Sequence, residues 1–133
     1  MLLFTAVWTN PPLVRWLLER GVSADNGFGS GSNTPLMQAA ADGDIALINL
    51  LLDYGANIEA QNECNERPLG FACSWRQPSA VRLLLERGAD PNALEDLDKS
   101  HLDWVTLSGQ DEIAELLRSF GALSFSEMRS NAR

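Results

Sequence analysis

One histidine, one tyrosine and two cysteines are all that the 133 residues hold of three chemically versatile types. That scarcity excludes most catalytic constellations, which need a base, a nucleophile and an orienting group together. Neither a G-x-x-x-x-G-K-[ST] nor a G-x-S-x-G occurs, so a phosphate-cradling P-loop and a nucleophile elbow are missing. The stretch "NGFGSGSN" alternates glycines but follows no strand, and "EDLDKSHLD" lacks the glycine and final glutamate of a calcium loop. No cofactor, metal or enzymatic activity is expected. Cys64 and Cys73 are too few for a disulfide framework or a metal set, and a reduced setting is the simpler reading. Long apolar runs are also absent, none approaching the roughly 18 residues that would span a bilayer. "MLLFTAVW" lacks a basic leader and meets Pro11-Pro12 without a small-residue cleavage pattern, which argues against a secretory signal. The chain reads as soluble and cytoplasmic. Positive charge is scarce too: 10 Lys and Arg against 18 Asp and Glu give a net charge of −8 and a pI near 4.5. Such a field repels phosphate backbones and anionic membranes, and it favours a basic protein partner.

What the sequence does have is an internal period. Gly21, Gly55, Gly88 and Gly121 are spaced by 34, 33 and 33 residues, each after a leucine-rich segment such as "LINLLLDYG". Leu3, Leu36, Leu69 and Leu102 fall at steps of 33, as do Ala6, Ala39, Ala72 and Val105. Each unit reads as two helices. Thr34 or Ser100 caps the first through a side-chain oxygen, Pro35 or Pro68 fits its first turn, and Gly43 or Gly109 ends it. The second carries apolar residues on a helical period, as in Ile45, Ile48, Leu51 and Leu52, and closes at a glycine suited to the left-handed conformation. Polar, turn-rich segments such as "ANIEAQNECNE" follow. Ala39, Ala40, Ala72 and Cys73 thin the first helix so that its neighbours approach closely, and a unit of this kind completes its core only against the next.

With the T-P-L, the paired small residues, the L-L-L, the G-A-(D/N) and the 33-residue period, the chain resembles the ankyrin-repeat family over residues 1 to about 123. The resemblance implies an all-α ankyrin-repeat solenoid of stacked helix-turn-helix units joined by hairpin-like turns. The expected units are about 1–25, 26–58, 59–91 and 92–123, followed by a capping turn or frayed tail over 124–133. It also implies a protein–protein interaction module whose concave surface is formed by the first helices and the turn tips.

Departures from the family pattern carry expectations of their own. Phe4, Met37, Gly70 and Asp103 stand where the family has a histidine that ties successive turns, which puts that bonding in doubt. Arg67 replaces a capping threonine, at a typical cost of about 1 kcal/mol. Gly70 adds roughly 1 kcal/mol relative to alanine. The first unit lacks its leading turn and cap, and "MLLFTAVW" is apolar where a terminal unit should be polar. Either a partner or a second copy covers that edge, or further residues precede it, or the first helix is frayed and marginal. Trp16 occupies the slot of Leu50, Leu83 and Leu116 and is assigned to the core. His101, at the helix-start proline position, is assigned to a surface turn, and Trp104 to a half-buried position.

Carried over residue by residue, the family's variable positions place Trp8, Ala41, Asp42, Ser74, Trp75, Arg76, Leu107 and Ser108 along the groove. At the turn tips it places Phe28, Glu63, Glu66, Leu94, Asp96 and Leu97. An apolar centre with an acidic rim suits a basic partner, which the rim steers and the aromatic rings hold. The lack of an attached effector region favours an inhibitor or toxin-immunity role. The rival reading is an adaptor or structural subunit that self-associates weakly through the N-terminal edge.

Overall fold

A computed structural model describes residues 11–25, 33–93 and 100–131. Within them lie α1 Pro11–Glu19, α2 Pro35–Asp42, α3 Ile45–Asp53, α4 Pro68–Ser74, α5 Pro78–Glu86, α6 His101–Leu107, α7 Asp111–Ser119 and α8 Phe125–Asn131. The apolar start "MLLFTAVW" and the glycine-serine stretch before Asn33 lie outside the described residues.

Local chemistry explains where these helices begin and end. At α2 the Thr34 hydroxyl accepts the Met37 amide at 3.3 Å, while the Met37 thioether accepts the Thr34 amide at 3.3 Å. The pair is a capping box in which sulfur stands where a carboxylate or amide usually reaches back. Gly43 then closes the helix at φ 70°, a left-handed conformation in which glycine carries no steric cost. Asp44 starts α3 at once, its carboxylate accepting the Leu47 amide at 3.1 Å. At α4, Arg67 makes no side-chain cap bond, as its sequence position predicts. There Pro68 presets the first turn and needs no amide partner.

The short helices α2, α4 and α6 pack side by side as one row, and α3, α5 and α7 as a second row behind them. Each short helix also packs on the longer one that follows it, α2 on α3, α4 on α5 and α6 on α7. Between the rows, Leu36, Leu69 and Leu102 meet Ile48, Leu51, Val81, Leu84 and Leu117, all buried. Ala39, Ala40, Ala72 and Cys73 are buried among them, so the alanines do bring the helices together. Each buried leucine is worth about 1.5–3 kcal/mol relative to exposure, and most of that is available only because the neighbouring pair covers it.

Trp16 corrects its core assignment. It is 48% exposed on α1, and the Arg20 guanidinium lies 4.4 Å from the centre of its ring. The slot lies at the margin of the core, where Leu50 and Leu83 are themselves only half-buried. A ring larger than leucine extends beyond that cover, and a cation over its face supplies about 0.5–1 kcal/mol at an exposed site.

The turns are tied by side chains that reach across a whole unit. Asp25 accepts the Asn57 amide at 2.8 Å. Asn92 accepts the Leu123 amide at 2.7 Å and donates to the Gly121 carbonyl at 3.1 Å. Asp103 restores the bonding that the missing histidine put in doubt at its position: one carboxylate oxygen accepts the Ser100 amide and hydroxyl and the Phe125 amide, at 3.1, 3.0 and 2.8 Å. A short acid reaches both partners because the cap is close and α8 begins directly beside it. Ser124 and Glu127 form a further capping pair at the start of α8, with a 2.7 Å bond from the Ser124 amide to the Glu127 carboxylate.

Candidate binding groove

Residues 33 apart stack on the open side of the short helices, giving the columns Gln38–Phe71–Trp104, Ala41–Ser74–Leu107 and Asp42–Trp75–Ser108. On α4 Trp75 follows Phe71 by four residues, and on α6 Leu107 follows Trp104 by three. Those intervals put each pair on one helical face. Because α4 and α6 are neighbours, the four side chains form a single apolar surface. Trp75 is 64% exposed, Leu107 73% and Trp104 41%, so Trp104 stands further into solvent than the half-buried position expected of it. Phe71 is half-buried and packs against the core. Burying such rings against a partner is a large source of binding energy, and tryptophan is enriched among residues that dominate it.

The ends of the short helices are also fixed to one another. The Gln77 side-chain amide donates to the Ala41 carbonyl at 3.0 Å, and the Arg76 guanidinium to the Ser108 carbonyl at 3.2 Å. A groove tied in this way needs little ordering on binding. Arg76 holds φ 54°, in the column where Gly43 and Gly109 sit at 70° and 74°. That column was legible in the period, since Arg76 interrupts a line of helix-closing glycines.

Ala41 corrects its placement in the groove: it is 7% exposed although its column lies on the open side, and its carbonyl is taken by Gln77. Asp42 is exposed at the polar end of the groove, where its carboxylate accepts the Gln38 amide at 3.1 Å, and exposed Asp44 stands beside it. Ser74 and Arg76 are exposed, and Ser108 is half-buried. At the turn tip before α4, Glu63 and Cys64 are exposed while Glu66 is half-buried and accepts the Asn62 amide at 3.1 Å. Buried Asn62 organises that tip: its carbonyl oxygen accepts the Cys64 and Glu66 amides at 2.9 Å each, and its amide group donates to Asn33 at 2.8 Å. Sequence reasoning named its neighbours but missed Asn62 itself. Trp8, Phe28, Leu94, Asp96 and Leu97 lie outside the described residues.

His101 corrects its surface assignment. It is 6% exposed, because the first helical position is a buried column that Pro35 and Pro68 also occupy. Burial, reinforced by the positive charge of Arg67, lowers its pKa to about 4. Glu59 shifts the opposite way, its carboxyl raised mainly by burial although the Asp90 amide and Arg67 stabilise its charge. Among the described residues no three His, Cys, Asp or Glu side chains converge to hold a metal ion, and no helix is long and apolar enough to cross a membrane.

Comparison with known proteins agrees with this architecture. The sequence model of ankyrin repeats matches residues 3–95 in three copies. Ankyrin repeat, SAM and basic leucine zipper domain-containing protein 1 of Dasypus novemcinctus is 35% identical over 115 residues, covering 83% of this chain and 24% of the relative. Its counterpart in Oryctolagus cuniculus is 42% identical over 85 residues, covering 60% of this chain and 18% of the relative. Ankyrin repeat domain-containing protein 63 of Homo sapiens is 34% identical over 103 residues, covering 74% of this chain and 27% of that protein. The chain thus spans about a quarter or less of the length of these curated relatives. Repeats of this kind generally mediate protein–protein interaction. On the repeat match and these relatives, the chain belongs to the ankyrin-repeat family.

Proposed function

We propose that residues 1–123 form a non-catalytic protein-binding array, capped by 124–133, that takes a basic partner protein in the cytoplasm. Trp75, the residue that closes α4, and Leu107 on the neighbouring α6, both exposed, carry this reading. Asp42 at one end of the groove and the overall charge of −8 supply the attraction for basic side chains. Within that reading we favour an inhibitor or toxin-immunity-type neutraliser, which masks a functional surface by occupying it. Pull-down from the source cytosol with wild type and Trp75→Ala side by side tests the proposal. One basic protein captured by wild type and lost by the variant supports it; capture of only the chain itself overturns it.

An adaptor or structural subunit is the second reading, favoured by the exposure of Leu13 and Trp16 on α1. It expects sedimentation velocity to show concentration-dependent self-association that Trp16→Asp removes, whereas the inhibitor reading expects a monomer.

A further inference from the structure

The junction between α4 and α6 is tied differently from the one between α2 and α4. At the earlier junction the Gln77 side chain crosses Gly43 to donate to the Ala41 carbonyl at 3.0 Å. It lies so close that a Cβ on Gly43 would stand 2.5 Å from its Oε1. One unit on, the same path would take Gln110 across residue 76 to Ser74, but residue 76 is an arginine. A side chain there blocks the crossing. Gln110 turns instead to its own unit, its Nε2 donating to the Ser108 hydroxyl at 3.0 Å, and Arg76 makes the cross-unit bond to the Ser108 carbonyl at 3.2 Å. A cavity of about 370 Å³ stands between Arg76 and Pro78 on one side and residues 109–113 on the other. Gln110, the N-cap residue of α7, lines it and is only 6% exposed. It gives the helix no side-chain cap bond, and its Oε1 is buried without a hydrogen-bond partner. Asp111 and Glu112, exposed in the first turn of this nine-residue helix, add two carboxylates to the same wall.

We propose that this cavity is a subsite for a basic side chain, an arginine or lysine that a protein partner inserts at the start of α7. The unsatisfied group is an acceptor, so its ligand must bring a donor. The neighbouring carboxylates favour a positively charged donor, and they offset the positive end of the α7 dipole that would otherwise draw an anion. Arg76, the cation on the lining, is engaged on Ser108. A modest turn about glutamine's broad terminal torsion brings Oε1 to a donor in the cavity. Arg76 follows Trp75 and binds the residue after Leu107, so the subsite adjoins the apolar surface of the groove. A partner seated on Trp75 and Leu107 therefore has a place for a basic residue beside its apolar anchors. That source of the side chain rests on the protein-binding reading above; the cavity itself does not.

NMR titration of the full chain with capped tripeptides tests the subsite, the central residue being arginine, lysine or glutamate. The arginine and lysine peptides are expected to shift the backbone amides of residues 109–113 and the Gln110 side-chain amide saturably, and the glutamate peptide to leave them in place. Glu112→Gln should weaken that binding about 3-fold, the scale of one exposed charge pair. Arg76→Gly frees Gln110 to cross to Ser74 and cover the cavity, so binding should fall at least about 10-fold. That variant makes the chain more acidic, which would strengthen any attraction of the general negative field, so weakening marks the loss of a built site. Shifts caused by the glutamate peptide, shifts that never saturate, or equal binding by Arg76→Gly overturn the proposal. Both substituted positions are exposed, and the wild-type titration decides alone should either variant fail to fold. Saturable peptide binding by a chain that captures no protein upholds the subsite and removes the groove reading. A captured basic partner with no peptide binding removes the subsite and leaves the groove.

Discussion

The carboxylate of Asp103 accepts the backbone amide of Phe125 at 2.8 Å, joining the cap of α6 to the first residue of α8. With Ser100 on the same oxygen, one side chain satisfies the starts of two helices. Asp103→Ala is therefore expected to cost about 2 kcal/mol in urea unfolding, within the range for bonds to a charged acceptor. Hydrogen exchange should show α8 losing protection before α6. A loss below about 0.5 kcal/mol would mean that the bond adds nothing to local capping.

Arg76 occupies a left-handed backbone position that glycine fills in the neighbouring units. A non-glycine residue there costs roughly 1 kcal/mol, and the exposed bond to the Ser108 carbonyl returns only part of it. Arg76→Gly should raise the urea midpoint, by the equivalent of about 0.5 kcal/mol. The converse change, Gly43→Ala, should be destabilising by more than ~1 kcal/mol. Its φ of 70° strains alanine, and the new Cβ would meet the Gln77 side chain at 2.5 Å, disturbing the bond to Ala41.

Asn62 holds its turn by accepting two backbone amides and donating to Asn33 and Glu66. Because it is buried, Asn62→Ala leaves those amides without a partner that water readily replaces. The expected loss is about 2 kcal/mol. Asn62→Asp keeps the two amide acceptor bonds but sets a carboxylate against Glu66 and the Asn33 oxygen, so at neutral pH it should not rescue the loss, which a pair of denaturation curves would resolve.

Trp75→Ala and Leu107→Asp alter exposed side chains, so stability should change by no more than about 0.5 kcal/mol. Partner affinity, measured by calorimetry once a partner is in hand, should fall at least 10-fold for each, the scale of a hot-spot residue at about 1.4 kcal/mol or more. A basic partner should also associate more slowly as salt is raised, since the acidic rim acts on the encounter. Full affinity in both variants would place the partner elsewhere.

Much of the architecture was written in the period of 33 residues. The glycines that close the second helices, the alanines that thin the first and the caps at Thr34 and Ser100 act through nearest neighbours, so sequence spacing alone specifies them. Exposure of Trp75 followed from the same register. So did the missing cap at Arg67, because a cap is a local hydrogen bond and arginine has no acceptor to offer.

Position in the repeat did not by itself decide burial. His101 was assigned to the surface and Trp16 to the core from their columns, yet His101 is buried and Trp16 half-exposed, because the space at each position is set by packed neighbours. Ala41 is small enough for either environment, and only the approach of Gln77 from the next unit decided it. The sequence by itself determined a stack of two-helix units and their register, since both rest on local periodicity. Tertiary structure alone decided which polar groups meet across turns: Asp103 with Phe125, Asn62 with Asn33, and His101 beside Arg67. Those encounters depend on distances between segments far apart in the chain, which no local pattern encodes.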